Sequence, residues 1–440
     1  MRHKVKALLI ALALFSGQVV LAQDKKPLGL KEAIDLSIKN SKQLKISSAK
    51  IEEATASLKE AIQRRLPDAK VAGAYLRLSS AKIDMKTPPN PNGGGGGTPQ
   101  VSQAFYGILN LSLPLYTGGR IRYGIESSKF LEQAAKLDAE TEKDEVISNT
   151  VDAYINLFKA RSAVDLLNEN LAQAQQRVKD FRSLEKNGLL ARNDLMKAEL
   201  QVSNTELSLL DMENNWQLAN LNMNLMLGLP DQTIIVIDTS ILARNLTVKN
   251  LDDYLQDAVR NRKELTAIDL RKQAAESGVK ATKADYYPNI ALTGGYIAAD
   301  VPEAFSIVNA VNVGLGISYN IGSLWKTKAK VEGAQARVKQ LTLSQDLLSD
   351  QVRLQVNRSY LNWLSSQKKI EVYAKAIEQA NENYRIVKNK YENSLATMTD
   401  LLDADLAQLQ AKLNYAMAKA DALAAYNQLN QAAGTIVQAN

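Results

Sequence analysis

The sequence contains no cysteine, and its only histidine is His3, close to the N-terminus. Without cysteine there are no disulfides and no thiol nucleophile. With no other histidine, Ser-His-Asp triads and zinc sites with nitrogen or sulfur ligands lack components. Pairs of carboxylates exist, but they lie in helical segments, where a solvated face is the usual explanation. We therefore expect no enzyme activity, no catalytic residue, no cofactor and no metal site.

Proline and glycine are absent from two long stretches, residues 125–187 and 334–433. Both stretches are rich in helix-forming residues and carry apolar residues at helical spacing, which indicates long helices. A helix from Gly119 to Lys186 would be about 100 Å long at ~1.5 Å per residue, a length typical of coiled coils and not of compact domains. The predicted helices are Leu30 to Arg65, 119–186, 194–227, 251–286, 325–393 and 399–431.

The first 22 residues have the pattern of a secretory signal peptide. A basic start precedes the apolar stretch Ala7 to Phe15, and Val20 to Ala22 is a small-residue cleavage site. A transmembrane anchor is the alternative, but the apolar run is too short for one. The signal holds three of the 54 basic residues and none of the 47 acidic ones, so the mature chain has 51 basic residues and a net charge of +4. No basic cluster is concentrated on one element, so we expect no nucleic-acid binding.

Beyond the signal no run of 18 or more apolar residues occurs, so any membrane-spanning part would have to consist of β-strands. Apolar and polar residues alternate from Phe105 to Leu113 and from Val311 to Tyr319, and two weaker strand-like segments are Val71 to Leu78 and Ile290 to Ile297. This alternation fits a transmembrane barrel, and a half-buried hairpin in a soluble domain is the alternative. Four strands cannot close a barrel, because single-chain barrels start at eight. Three chains would supply twelve strands.

The chain also contains an internal two-fold repeat. Residues 30–75 align without a gap onto 251–296 at an offset of 221, and further along the offset becomes 206, so that Tyr154 matches Tyr360. The change falls in 81–102, a proline- and glycine-rich segment that we interpret as an exposed, outward-facing loop. The predicted division is a signal peptide (1–22), a first repeat (23–228, with strands at about 67–116 and a tip near 187–194), a linker or equatorial region (229–250) and a second repeat (251–440, with strands at about 288–321 and a tip near 393–400).

The segment Leu113 to Arg120 (LPLYTGGR) resembles the strand-to-helix turn of the TolC-like outer membrane efflux family, with Gly118 and Gly119 at the turn. The resemblance covers nearly all of the mature chain, although the second copy, Asn320 to Ser323, departs from the motif. It implies a homotrimer with a twelve-stranded β-barrel in the outer membrane, four strands per chain, continued by an α-helical barrel across the periplasm. It also implies a periplasmic adaptor (membrane fusion) protein and an inner-membrane pump as partners.

The resemblance assigns roles to residues at the two helical tips. Gly188 and Leu189 in the first half, and Ser394 and Leu395 in the second, match the tips where adaptors dock. In the family these tips are also where the duct narrows. The resemblance therefore predicts that adaptor docking and gating both occur at this end of the helices.

Two further pairs of tip residues are predicted to form the gate, one pair as the aperture and the other as a latch. Asp400 and Asp403 match acidic aperture residues, and in a trimer each would form a ring of three carboxylates that favours cations. The alternative is the ordinary placement of acids at a helix N-terminus. Tyr391 matches a tyrosine that bonds to the aspartate aligned with Asp194 and holds the tip closed. Ala396 stands where the best-known member has an arginine, which leaves the salt-bridge part of this latch open.

We expect a passive trimeric exit duct of a tripartite efflux or type I secretion system, located in the cell outer membrane and extending into the periplasm. A duct dedicated to polypeptides or heavy-metal ions is an alternative, because the tip sequence does not separate these cargoes. A pore-less periplasmic coiled-coil scaffold is a second alternative, and the matching parity of the strands argues against it. The sequence names neither the substrate nor the particular pump and adaptor.

Overall fold

The computed structural model describes residues 25–82, 100–238, 248–302 and 305–436. The predicted signal peptide, most of the predicted outward-facing loop and part of the predicted linker lie outside the described residues. The chain divides into two compact units. The helical unit is formed by 1–45, 142–262 and 352–440, and the sheet unit is formed by 46–141 and 263–351.

Helices make up most of the described chain, which confirms the expectation of a mainly helical fold with some strands. In chain order the helices are α1 (Leu30–Asn40), α2 (Lys42–Gln63), α3 (Arg120–Lys186), α4 (Arg192–Leu227), α5 (Leu251–Asn261), α6 (Lys263–Lys283), α7 (Ser323–Glu392) and α8 (Met398–Ala432). The strands are β1 (Lys25–Leu28), β2 (Asp68–Lys82), β3 (Gln100–Tyr116), β4 (Ile234–Ile237), β5 (Asn289–Val301) and β6 (Phe305–Ser318). Within the described ranges, no helix is both long enough and apolar enough to cross a membrane.

Two of the predicted helices are interrupted, so the prediction that they are continuous was wrong. The first is divided at Ser41 (φ −55°, ψ 120°) into α1 and α2. The second is divided at Arg262 (φ −70°, ψ 108°) into α5 and α6, and a 3₁₀ turn follows at Ala284–Tyr286. Neither Ser41 nor Arg262 is a proline or a glycine, so the composition of the two segments does not indicate a break.

A helix-ending glycine packs against each break. Gly228 follows α4 at φ +68°, and a β-carbon there would lie 3.0 Å from the Cβ atom of Asn40, the last residue of α1. The Asn40 amide donates to the carbonyl of Leu227 at 2.6 Å. Gly434 follows α8 at φ +67°, and a β-carbon there would lie 2.9 Å from the carbonyl carbon of Asn261, the last residue of α5. Each break therefore coincides with a tertiary contact, and local helix preferences do not include such contacts.

The core of the helical unit surrounds a two-stranded parallel sheet. Strands β1 and β4 pair along their whole length, and apolar side chains from α1, α3, α4 and α8 pack against them. Tyr154 of α3 is buried there, where its hydroxyl donates to the carbonyl of Leu28 at 2.9 Å and accepts the N–H of Asp238 at 3.0 Å. Burial raises the pKa of Tyr154 to about 12. The predicted equatorial region thus contributes β4 to this core, while the repeat and linker boundaries stay predictions.

The sheet unit contains one antiparallel sheet of four strands in the order β2-β3-β5-β6. The central pair joins the two halves of the chain, with Leu113 opposite Leu292. Within the described residues, β2 and β6 each have one edge without a partner strand. Apolar side chains along β6 are uncovered, and Val313 is 78% exposed. The four predicted strands are therefore neighbours in one sheet, and the described part of the chain leaves both its edges and an apolar surface open.

We predict that Gly228→Ala lowers the stability of the helical unit, because alanine is strained at positive φ and its methyl group would meet Asn40. The cost should be about 1–3 kcal/mol, measured as a lower Tm of the helical circular-dichroism signal. Gly333→Ala is the control for the same change without strain, since Gly333 lies inside α7, in the sheet unit, with no heavy atom within 4 Å of an added β-carbon. The control should keep or raise the Tm. Equal Tm values for the two variants would contradict the role given to Gly228.

Candidate functional site at the helical tips

Two helical hairpins, α3–α4 and α7–α8, end in turns of the same geometry. Gly188 has φ +71° and Ser394 has φ +58°. The N–H of the following residue, Leu189 or Leu395, bonds to the carbonyl five residues earlier, at 2.9 and 2.8 Å respectively. This bond is the one that commonly closes a helix C-terminus before a left-handed residue. Ser394 adopts that conformation without the freedom of glycine, at a cost of about 1 kcal/mol.

Each turn presents a leucine to solvent. Leu189 is 74% exposed and Leu395 is 77% exposed. Exposed leucines at the two hairpin ends provide apolar contact area for another protein. Adaptor docking by Gly188, Leu189, Ser394 and Leu395 stays a prediction.

Asp400 takes part in a capping box at the start of α8. Its carboxylate accepts the N–H of Thr397 at 2.8 Å and the hydroxyl of Thr397 at 2.7 Å, while the Thr397 hydroxyl accepts the N–H of Asp400 at 3.2 Å. The hydrogen bonds from the side chain and backbone of Thr397 hold the pKa of Asp400 below its usual value. Asp403 lies one turn further along and is exposed. The structure thus gives Asp400 a helix-capping contact, and an aperture role for the two acids stays a prediction.

The predicted latch residues lie near each other. Tyr391 packs on Phe181 with 5.7 Å between ring centroids. Burial and the negative charge of Asp194 raise the pKa of Tyr391. Asp194 itself is 3.7 Å from the ammonium of Lys197. Among the described residues no hydrogen bond joins Tyr391 to Asp194, so the latch that the resemblance implies stays a prediction.

A buried ion pair close to the tips joins the two hairpins. Arg177 of α3 donates to the carboxylate of Asp405 of α8 at 3.1 Å and to the hydroxyl of Tyr384 of α7 at 3.3 Å. The side chains of Arg177 and Asp405 are only 10% and 3% exposed. Burial alone would lower the pKa of Arg177, but the hydrogen bond and the charge of Asp405 outweigh it and raise the pKa. Removing one partner of such a pair leaves a buried charge uncompensated, which costs about 3–5 kcal/mol.

Our reading of the sequence missed this pair, although the sequence contains a signal for it. Met398, Leu401 and Asp405 follow each other at spacings of three and four, and all three are buried in α8. A carboxylate at such a core position needs a partner, because an isolated buried charge is expensive. Arg177 has the same spacing on α3, where the buried Ala174 precedes it by three residues and the buried Phe181 follows it by four. A charged residue within an apolar helical stripe therefore indicates a buried ion pair, and both Arg177 and Asp405 fit that description.

The glycines predicted at the strand-to-helix turn lie in the sheet unit. Gly118 has φ +63° and Gly119 has φ +90°. A β-carbon on Gly118 would lie 2.7 Å from the carbonyl oxygen of Ala284, so no larger residue fits without movement of the backbone. These glycines allow β3 to pass into α3 within a few residues.

The sequence profile of the outer membrane efflux proteins matches residues 33–229 and 254–435. Because these ranges cover most of the chain, the chain belongs to the outer membrane efflux protein family. Members of this family are channels, and the family functions as an exit route through the outer membrane. The family resemblance is thereby confirmed. So is the predicted localisation in the outer membrane with extension into the periplasm.

Individual relatives are distant but align over most of their length. Toxin and drug export protein A of Aggregatibacter actinomycetemcomitans is 22% identical over 376 residues, which cover 83% of this chain and 80% of that protein. The outer membrane efflux protein BepC of Brucella suis is 21% identical over 419 residues, covering 92% and 87%. Among solved structures, VceC of Vibrio cholerae matches with a TM-score of 0.74 and 17% identity, covering 92% of this chain and 96% of that one. At this identity the structural likeness shows the fold alone.

We predict that Arg177→Met destabilises the tip by about 3–5 kcal/mol, because it leaves the Asp405 carboxylate buried without a cation. The measurement is the Tm of the helical circular-dichroism signal. The double variant Arg177→Met/Asp405→Leu should recover most of the loss, since it removes both charges. Arg182→Met is the control on the same helix, because the pair Arg182–Glu199 is largely exposed, and it should cost less than about 1 kcal/mol. A loss for Arg182→Met as large as that for Arg177→Met would refute the importance of burial.

Proposed function

We propose that three copies of this chain form a passive exit duct, with a twelve-stranded β-barrel in the outer membrane and an α-helical barrel across the periplasm. The duct works with a periplasmic adaptor protein and an inner-membrane pump, in a tripartite efflux or type I secretion system. Its periplasmic end is gated at the helical tips. Family membership supports an exit duct in the outer membrane. The open sheet, the tip acids, the groove beside the tips and the internal repeat support the trimer, the gate, the docking site and the domain division.

The open four-stranded sheet is the observation that carries this proposal. Unpaired N–H and C=O groups along β2 and β6 cannot be satisfied in hydrocarbon, because lipid offers no hydrogen-bond partners. Pairing β2 of one copy with β6 of the next satisfies both edges and closes the sheet. The exposed apolar residues of β6 then become the lipid-facing surface of the barrel.

Charge at the tips supports a gate there. Asp400 and Asp403 are three residues apart on α8, so their side chains share one face of the helix. Three copies would bring six carboxylates together and attract cations. Tyr391 and Asp194 are the proposed latch between the hairpins. The buried Arg177–Asp405 pair joins the same hairpins further from the turns. This pair supplies an arginine-to-acid contact that Ala396 cannot make.

A groove of about 1170 Å³ beside the tips is the proposed docking site for the adaptor. It lies between the two hairpins and includes Leu189, Ser394, Tyr384 and Lys388 in its lining. The lining thus combines an exposed apolar side chain with polar and charged groups, which is the composition of a protein interface rim. Gly188 and Leu395 lie next to it in the two turns.

The repeat of 23–228 and 251–440, joined by 229–250, is the proposed domain division. The contact between Gly228 and Asn40 has its counterpart between Gly434 and Asn261, at the offsets of 206 and 221 read from the sequence. The two tip turns correspond in the same way. These correspondences support two equivalent halves per chain, so that a trimer would have six hairpins around its axis.

Polypeptide cargo is a second candidate within the same function. The relative from Aggregatibacter actinomycetemcomitans is named for the export of both toxin and drug. A duct that accepts both kinds of cargo fits a passive channel whose selection is made by the pump. The tip acids attract cations in general, so they do not separate heavy-metal ions from other cargo.

The trimer is testable by cross-linking, because the chain has no native cysteine. Val71 of β2 faces the same side of the sheet as Val311 of β6, since they share a row of paired residues. We predict that Val71→Cys combined with cysteine at Val311, Val313 or Leu315 gives disulfide-linked dimers and trimers in oxidised membranes, for at least one of the three partners. Cβ atoms of directly paired residues on adjacent strands are ~4.5–5.5 Å apart, close to disulfide range.

The control places the second cysteine at Gly314, on the opposite face of the same strand, where no cross-link should form. Monomers for all three partner positions would contradict strand pairing between copies. Ladders that extend past the trimer would contradict a closed ring of three.

The aperture is testable by conductance in planar bilayers. We predict that Asp403→Ala lowers the permeability of potassium relative to chloride by roughly twofold or more, and that Asp400→Ala/Asp403→Ala lowers it further. Thr397→Ala separates the two roles of Asp400, because it removes the helix cap and keeps the carboxylate. Its selectivity should equal that of the unmodified channel, as should that of Asp211→Ala, an exposed acid within α4. Unchanged selectivity in the double variant would place the constriction elsewhere.

A further inference from the structure

Basic residues concentrate where the chain passes between the sheet and the helices. Four segments make these passages, and together they hold ten Lys or Arg residues and three Asp or Glu residues. The mature chain as a whole has an excess of only four basic residues, so the remainder is net acidic. We name the Lys and Arg residues of these passages the basic collar. The segments are 60–70, 114–124, 280–289 and 318–330.

The strand register brings the four passages to one end of the sheet. Asp68 at the start of β2 pairs with Ser112 near the end of β3. Asn289 at the start of β5 pairs with Ser318 at the end of β6, and Tyr116 pairs with Ile290. All four passages belong to the sheet unit. Because the segments are far apart in sequence, the collar does not appear as a basic cluster until the sheet is assembled.

The acids of the collar region are already paired. Asp285 accepts from Arg120 at 2.7 Å and from Lys330 at 2.9 Å. The other two acids, Glu60 and Asp68, pair with Arg64 and Lys70 at 3.0 Å each.

Four cations of the collar keep their charge available. Arg65, Lys283, Lys326 and Lys328 are exposed, and among the described residues none of them lies within 4.0 Å of a carboxylate. An uncompensated basic surface therefore remains at this end of the sheet.

Exposed aromatic and apolar side chains lie between the strands and these cations. Trp325 is 65% exposed at the start of α7, immediately before Lys326, and Tyr319 is exposed just beyond β6. Tyr287 and Tyr116 are exposed beside β5 and at the end of β3. In three of the four passages an aromatic residue lies between the apolar strand and the basic residues, and 60–70 is the passage without one. The same order occurs at a membrane surface, where aromatic rings lie at the headgroup level and lysine side chains extend beyond them.

We propose that the basic collar binds the phosphate groups of anionic phospholipids in the leaflet nearer the helices. This inference rests on the proposed function, because it requires the sheet to lie in the membrane. The collar then fixes the depth of the channel and enriches phosphatidylglycerol-type lipid around it. Each cation in contact with an anionic surface contributes about a fivefold preference at low salt, and the preference declines as salt screens it.

Trp325 provides the reporter for a test. The full mature chain is reconstituted in vesicles of equal parts phosphatidylglycerol and phosphatidylcholine, with only one of the two lipids brominated on its chains. The background Trp216→Phe/Trp363→Phe leaves Trp325 as the only tryptophan. At low salt, brominated phosphatidylglycerol should quench Trp325 at least about twofold more than brominated phosphatidylcholine does. At 1 M salt the two lipids should quench equally.

Substitution of the collar completes the test. Arg65→Gln/Lys283→Gln/Lys326→Gln/Lys328→Gln should equalise quenching by the two lipids at low salt. The control Arg337→Gln/Lys339→Gln/Arg353→Gln/Arg358→Gln neutralises the same number of exposed cations along α7 and should keep the preference. Equal quenching by both lipids in the unsubstituted chain would overturn the collar proposal and leave the duct intact. The absence of quenching by either lipid would instead overturn the membrane location of the sheet. A preference that survives the collar substitutions would place the lipid contact on other residues.

Discussion

The unpaired backbone N–H and C=O groups along the edges of β2 and β6 need hydrogen-bond partners, and the proposed assembly depends on this requirement. In water an unpaired strand edge is solvated, but in hydrocarbon each unsatisfied N–H or C=O group costs several kcal/mol. The described part of one chain has two such edges and an uncovered apolar surface on β6. The proposed assembly resolves both, because identical sheets pair edge to edge and the apolar surface faces lipid. Hydrogen bonding along the edges thus favours a closed ring of chains, and the proposed number of three comes from the family resemblance.

The helices of the single chain also leave apolar side chains exposed. Leu200, Leu207, Leu218 and Leu225 recur along one side of α4 and are all exposed in the single chain. Such a stripe is typical of a helix that packs against another helix. At the tips the chain supplies its own contact, because Arg177 and Asp405 form a buried pair across the two hairpins. The tips therefore have a contact within the chain, while the exposed leucines of α4 are left for the neighbouring copy of the proposed trimer.

Sequence periodicity was sufficient for the long helices and for the strands, because the scarcity of glycine and proline and the alternation of side chains are local properties. The breaks at Ser41 and Arg262 were not predictable in this way, since they depend on the approach of Gly228 and Gly434 from distant parts of the chain. Thr397 and Asp400 have the spacing of a capping box, and helix N-terminal placement was the alternative weighed for that acid. The basic collar had no sequence signal, because four separate segments contribute to it.

The mass of the assembled channel tests the central claim most directly. Native mass spectrometry of the mature chain, released from outer membranes in mild detergent, measures how many copies close the sheet. The account predicts a single species with three times the mass of the mature chain. A monomer with an intact far-ultraviolet circular-dichroism spectrum, or a closed species with any other number of copies, would contradict it.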